Sequence, residues 1–285
     1  MHPALLTVGE KKMIDRIELK ASFQDTQRRI IEDPVLAERT AAAQAGTLLY
    51  LADYRAISPR IKTDSPDIQV ADDTTFHCAQ AYAAEDCRTA VLNFANAYSP
   101  GGGVANGSMA QEECLCRSSN LYNTLTIPYL LKNYYKWNAR NTGDMGTDAV
   151  IWSPGITVFK TDDPLPLDME PWFQADVLTS AAPYINPDKK KPVPEDKLRA
   201  VLTGRIRNIL EVAAARDTDV LVLGAFGCGV FNNPPALVAD IFREFLVSRA
   251  YGRYFRKVLF AIPDRPGNPN FRVFEEAFSS GSRCL

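Results

Sequence analysis

Val220-Leu221-Val222-Leu223 runs straight into Gly224-Ala225-Phe226-Gly227-Cys228-Gly229-Val230-Phe231-Asn232-Asn233-Pro234. Four successive aliphatic residues leave neither parity polar. A strand here is buried on both faces, as in a sheet covered by helices on each side. The glycines end the strand, and Pro234 favours a helix start just beyond them. Val258-Leu259-Phe260-Ala261-Ile262 carries the same two-sided pattern. Working outward, β-rich runs fall at 47–51, 68–72, 89–95, 149–152, 156–159, 176–180, 219–224 and 257–262. Helical patterns occupy about 73–83, 108–136, 194–216, 234–250 and 270–279. The fold class is therefore α/β, three-layered, with a mixed or mainly parallel central sheet flanked by helices.

Residues 9–46 are rich in helix formers, pause at Asp33-Pro34 and stop at Gly46. They predict an N-terminal helical extension over 1–45, packed on a main domain over 46–285. The stretch 183–194 holds four prolines and Lys189-Lys190-Lys191. It reads as a solvated insertion within one domain, because the strands on either side belong to one sheet.

Composition narrows the function. The 285 residues carry a net charge of −2, with 46% hydrophobic and 23% charged residues. That is ordinary globular usage, with no bias toward nucleic acid or acidic membranes. None of the six cysteines (Cys78, Cys87, Cys114, Cys116, Cys228 and Cys284) forms a Cys-x-x-Cys pair, and the two histidines are His2 and His77. A zinc site would have few ligands to draw on, so neither metal nor cofactor is expected. The N-terminus lacks the apolar core of a secretory signal, and no apolar run is long enough to span a bilayer. A reduced, cytoplasmic monomer with no membrane partner is expected.

Sheets of this class bind ligands at the carboxyl ends of strands. Two constellations lie there. The first is the strand Ala90-Val91-Leu92-Asn93-Phe94-Ala95-Asn96, followed by Ala97-Tyr98-Ser99-Pro100 and Gly101-Gly102-Gly103. Ser108-Met109-Ala110-Gln111 then fits a capping box opening a helix. Glycines let the backbone approach a ligand, and N–H groups with a helix N-terminus favour an anion such as a diphosphate. Glu112 and Glu113 sit in the first turns of that helix, where compensation of the helix dipole is the plainest reading of an acidic pair. Their place beside a ligand loop gives them a second reading, as chemistry. The second constellation is the 224–233 loop. There Phe231 is either a core residue or a platform for ribose or base, and Cys228 reads as a small filler, since no histidine lies near it to activate a thiol.

Together these residues resemble the poly(ADP-ribose) glycohydrolases. Gly101-Gly102-Gly103, seven residues, then Gln111-Glu112-Glu113 matches the family signature. Asn93-Phe94-Ala95, Arg117-Ser118-Ser119-Asn120-Leu121-Tyr122, Ile151-Trp152-Ser153-Pro154, Val177-Leu178-Thr179-Ser180-Ala181-Ala182-Pro183 and the 224–233 loop resemble its bacterial-type branch. The similarity runs over about residues 40 to 280. It implies a macrodomain fold that holds ADP-ribose with its diphosphate between the two glycine loops. It implies that Glu113 is catalytic and that Glu112 holds the ribose hydroxyls. The implied substrate-contacting set is Asn96, Gly101, Gly102, Gly103, Val104, Gln111, Thr179, Ser180, Gly227, Cys228, Gly229, Val230 and Phe231. The implied partner is ADP-ribose or poly(ADP-ribose) on modified macromolecules. Two positions depart from the pattern: Cys114 follows the glutamates, and Asn232 follows Phe231 where a glycine or basic residue is expected. If Asn232 must be left-handed, it adopts that conformation less freely than glycine.

Cleavage of a ribosyl bond passes through an oxocarbenium-like state. Adjacent helical residues point about 100° apart, which disfavours two carboxyls facing each other across one bond. A single-carboxyl scheme follows, in which Glu113 protonates the leaving oxygen and then deprotonates water. A helix N-terminus favours the ionised carboxylate, whereas a general acid at neutral pH needs its proton. Two further readings stay open: hydrolysis of ADP-ribose from a side chain or nucleobase, and a non-catalytic ADP-ribose reader. A phosphatase or kinase would need a metal-carboxylate cluster and a phosphate-binding lysine, and neither is present.

Overall fold

The computed structural model describes residues 15–56, 58–83, 87–161, 172–188 and 192–279. The Lys189-Lys190-Lys191 run and the first part of the N-terminal extension lie outside the described residues. Two helices come first, α1 (Arg16–Glu32) and α2 (Pro34–Gly46). Asp15 and Glu18 form a reciprocal capping box that opens α1. The pause at Asp33-Pro34 is a single residue: the Asp33 N–H closes α1, its carboxylate caps α2, and Pro34 takes the first helical position.

Seven strands follow: β1 (Leu48–Tyr50), β2 (Asp67–Ala71), β3 (Thr89–Phe94), β4 (Val150–Val158), β5 (Phe173–Ser180), β6 (Val220–Leu223) and β7 (Lys257–Ala261). They form one sheet in the order β1-β4-β5-β3-β6-β7-β2. β4 pairs antiparallel with β1 and β5, and all other pairs are parallel. The two runs expected at 149–152 and 156–159 are a single strand. Its register shifts between Ser153 and Ile156, where Pro154 lacks an N–H and Gly155 has a positive φ of 59°. An irregularity of this kind keeps a strand continuous across a proline.

The remaining helices are α3 (Thr75–Gln80), α4 (Gln111–Ser118), α5 (Leu121–Leu125), α6 (Pro128–Leu130), α7 (Lys136–Asn141), α8 (Glu195–Ala215), α9 (Pro235–Arg243) and α10 (Asn270–Ser279). The helix expected over 108–136 is thus several pieces. The Ser118 and Ser119 hydroxyls bond back to the Cys114 and Leu115 carbonyls, Ser119 is extended, and Pro128 starts a new turn. A π-helical segment, Leu131–Tyr135, joins α6 to α7.

Both sheet faces are buried. Leu92, Leu221, Leu223 and Phe260 pack with Ile206, Ile209, Val238, Phe242 and Phe274 of α8, α9 and α10. Val91, Val177, Val222 and Leu259 pack with Leu115, Leu121, Tyr134 and Tyr135 on the other side. Phe23 of α1 and Ala43 of α2 belong to that second cluster. Polar ties reinforce the contact: Thr26 donates to the Arg117 carbonyl, and Asn120 donates to Thr40 at 3.0 Å. Buried Lys160 pairs with Asp25 at 2.9 Å. Among the described residues no helix is long and apolar enough to cross a membrane.

Candidate active site

Strands β3 and β6 are parallel neighbours, so the loops after Phe94 and Leu223 leave the same edge of the sheet side by side. Polar side chains organise the first loop. The Phe94 N–H donates to Gln111 Oε1 at 2.9 Å, and Gln111 Nε2 donates to the Leu92 carbonyl at 2.7 Å and to Thr75 Oγ1 at 3.1 Å. Gln111 therefore bolts the start of α4 to β3. The capping box expected at 108–111 does not form: Ala110 is the N-cap, and no side chain caps the helix. The Gln111 amide that would have reached back is committed to the strand.

Asn96 accepts the Tyr98 and Ser99 N–H groups at 2.8 and 3.0 Å through its Oδ1, an Asx turn that starts the glycine loop. Its own N–H donates to Glu112 Oε2 at 2.8 Å. Gly102 N–H bonds the Ser99 carbonyl and Val104 N–H bonds the Gly101 carbonyl, each at 3.1 Å. Gly103 N–H donates to Glu113 Oε1 at 2.8 Å. The amides of this loop are thus spent on the loop itself and on the two glutamates. Gly102 shows how tightly: with φ of +55°, a Cβ there would lie 2.5 Å from Glu113 Oε1 and 3.1 Å from Glu112 Oε2. A 3-10 turn (Val104–Asn106) and Gly107 then bring the chain against the Arg16 carbonyl before α4 begins.

Glu112 and Glu113 are 3% and 7% exposed. Although adjacent on a helix, both carboxyls reach the glycine loop. Glu112 is held by the Asn96 N–H and, at 3.5 Å, by Asn93 Nδ2. Burial pushes the Glu112 carboxyl up to about 8, and the charge of Glu113 adds to the effect, against the hydrogen bonds from Asn96 and Asn93. Glu112 therefore keeps its proton near neutral pH. Glu113 differs in its bonding: Oε1 is fixed by Gly103, while Oε2 has no hydrogen-bond partner among the described residues.

The second loop is built the other way. Its turns are closed by Phe226 N–H to Gly224, Cys228 N–H to Ala225, Asn232 N–H to Gly229 and Asn233 N–H to Gly227. Among the described residues, the N–H groups of Gly227, Gly229, Val230 and Phe231 have no acceptor. Asn232 is left-handed, with φ of 56°, and donates from its side chain to the Ile185 carbonyl at 3.2 Å. The loop therefore does require that conformation, and asparagine supplies it. Burial pushes the Cys228 thiol up to about 12, away from the thiolate form that a nucleophile uses.

A cleft of about 380 Å³ lies between the loops. Asn96, Gly102, Gly103, Glu112, Glu113, Val230 and Phe231 line it. Val230 is 70% exposed. Other expected contacts are elsewhere: Val104 is a core residue, Gln111 serves β3, and Thr179 and Ser180 are buried at the end of β5, where Thr179 accepts from Asn93 at 3.2 Å. Gly101, Gly227, Cys228 and Gly229 belong to the loops but not to the cleft wall. The sequence reading missed Arg16 and Leu19, with which α1 forms part of the wall, and also Phe94 and Ser108-Met109-Ala110. The first two carry no local signal, because an amphipathic helix does not reveal which surface it covers. Among the described residues no group of three or more His, Cys, Asp or Glu side chains is gathered to hold a metal ion.

The family described as microbial-type PARG, catalytic domain, matches residues 22–161. The crystal structure of poly(ADP-ribose) glycohydrolase from Thermomonospora curvata is similar with a TM-score of 0.78 and 32% identity, covering 92% of this chain and 100% of that one. The same enzyme bound to the inhibitor ADP-HPD gives 0.76 at 32% identity, with the same coverage. Poly(ADP-ribose) glycohydrolase from Deinococcus radiodurans in complex with ADP-ribose gives 0.74 at 35% identity, covering 86% of this chain and 98% of that one. No curated protein matches the chain.

Proposed function

Because this chain belongs to the microbial-type poly(ADP-ribose) glycohydrolase family, we propose that it is a glycosidase that hydrolyses the ribose-ribose bonds of poly(ADP-ribose) and releases ADP-ribose. The observation that carries the reading is the state of Glu113. One of its oxygens is locked by a glycine N–H, and the other is buried without a hydrogen-bond partner among the described residues, in a residue that lines the cleft.

The geometry supports the following chemistry. The unspent N–H groups of Gly229, Val230 and Phe231 take the diphosphate, and Phe231 packs on the distal ribose. The free Glu113 oxygen meets the scissile linkage, passes a proton to the departing ribose oxygen as the oxocarbenium-like state forms, and then takes a proton from the attacking water. Glu112, kept protonated near neutral pH by burial, holds the ribose hydroxyls. Cleavage proceeds on this reading from the end of a chain, in exo fashion. Among the described residues no two cysteines form a disulfide, which suits a reducing, cytoplasmic setting.

Glu113→Gln tests this. Turnover of poly(ADP-ribose) should fall by at least about 10³-fold, the scale of a lost general acid and base. Calorimetry should show ADP-ribose binding nearly unchanged. Substantial remaining turnover overturns the assignment.

A further inference from the structure

One face of the molecule takes no part in the site described above. The segment 128–141 forms a continuous helical rod through α6, the π-helical segment and α7. The π-helical segment turns both Tyr134 and Tyr135 into the core. That leaves Tyr129, Lys132, Lys136, Trp137 and Arg140 exposed along one side, with Tyr129 at 56% and Trp137 at 48%. No Asp or Glu occurs between Glu113 and Asp144, in a chain whose net charge is −2. Among the described residues the three cations make no ion pair. Three unpaired cations stand beside two exposed rings, spread over about 16 Å of helix.

This rod ends at the rim of the cleft. Tyr98, two residues beyond Asn96 and 39% exposed, donates its hydroxyl to the Gly143 carbonyl. Tyr184 N–H bonds the Asp144 carbonyl at 2.8 Å, and its ring packs edge-on against Phe231 at 5.8 Å. Buried Arg205 grips the Met145 carbonyl at 2.6 Å together with the Ala181 carbonyl. The end of the rod is therefore fixed to both sides of the ligand cleft.

Resting on the glycohydrolase reading, we infer that the exposed 128–141 face binds the portion of poly(ADP-ribose) that extends out of the cleft beyond the scissile bond. Each unit of that polymer carries a diphosphate and an adenine. Cations spaced along a helix suit the diphosphates, and exposed aromatic rings suit stacking with adenine. The chain would leave past Asn96 and Tyr98 and meet Arg140 first. A single-stranded nucleic acid offers similar groups, but continuity with the cleft favours the polymer.

The test uses the full chain carrying Glu113→Gln, so that binding is read without turnover. Affinities for long poly(ADP-ribose), for ADP-ribose monomer and for polyadenylate are measured against salt concentration. Adding Lys132→Gln, Lys136→Gln and Arg140→Gln should weaken polymer binding by about tenfold or more at low salt and reduce the slope of log affinity on log salt by about 2. Monomer affinity should not change. Lys132→Arg with Lys136→Arg should restore most of the loss, and Trp137→Ala should weaken polymer binding with little change in slope. Unchanged polymer affinity in the triple variant overturns the inference. So does polyadenylate competing as well as the polymer, phosphate for phosphate. Absence of ADP-ribose release by the unaltered protein would instead sink the glycohydrolase reading, and the binding comparison would still decide the role of this face.

Discussion

The two glycine loops look alike in sequence, and both follow buried parallel strands, yet they do opposite work. In the 101–103 loop the Gly102, Gly103 and Val104 amides bond to the loop or to Glu113. In the 224–231 loop the N–H groups of Gly227, Gly229, Val230 and Phe231 have no acceptor among the described residues. The first loop is a clamp for carboxyls, and the second is a cradle of unspent N–H groups. Glycine enrichment after a strand signals close approach, but it does not say whether the approaching group is a ligand or the protein's own side chain. The Gly102, Gly103 and Val104 amides already have acceptors within the protein, so the first loop holds none of these three in reserve for a diphosphate.

Substitutions within the loops sharpen the contrast. Gly102→Ala should have the largest effect. Its methyl would sit 2.5 Å from Glu113 Oε1 and must push that carboxyl aside, and the φ of +55° strains any side chain there, so some stability is lost together with the Glu113 geometry. Turnover should fall on the order of 10²-fold, as for an ångström-scale misplacement. ADP-ribose affinity should change far less, by steady-state kinetics beside calorimetry.

Glu112→Gln addresses the cost of the clamp. The Glu112 carboxyl is raised from its ordinary value to about 8 on folding, so the unfolded chain ionises first as pH rises. Stability is therefore greatest below the unfolded value and declines up to about pH 8. Glutamine removes that dependence. Thermal melts should show the variant gaining on the parent between pH 5 and pH 8.5, by up to a few kcal/mol. A parallel pair of pH profiles would contradict the buried proton.

Gly229→Ala addresses the cradle. A Cβ there meets nothing within 4 Å, so melting temperature and kcat should hold while ADP-ribose affinity drops through crowding of the bound anion. The smallest effect belongs to Cys228→Ala. With its thiol pushed up to about 12 by burial, this residue should be inert to alkylation, and the variant should keep its turnover.

Much of this was legible in the chain. The two-sided aliphatic runs at 220–223 and 258–262 announce buried strands, and the strand, glycine and helix order around 90–125 announces the site. What stayed hidden depends on tertiary contacts. Ser108-x-x-Gln111 matched a cap, but the Gln111 amide found stronger use in completing the β3 edge. Pro154 looked like a strand end, yet a neighbouring pair of strands carried the chain through it. Arg16 and Leu19 reach the cleft only because α1 lies against Gly107, about ninety residues away in sequence. The αL conformation of Asn232 was foreseeable as a question, and the folded loop answered it.

The division of labour between the loops is most directly tested by a crystal structure of the full chain with ADP-ribose bound. The account predicts the diphosphate on the N–H groups of Gly229, Val230 and Phe231, with the anomeric carbon facing the unpartnered Glu113 oxygen at about 3 Å through one oxygen or water. A diphosphate seated on the 101–103 amides, with the Glu113 carboxyl turned away from the sugar, would contradict it.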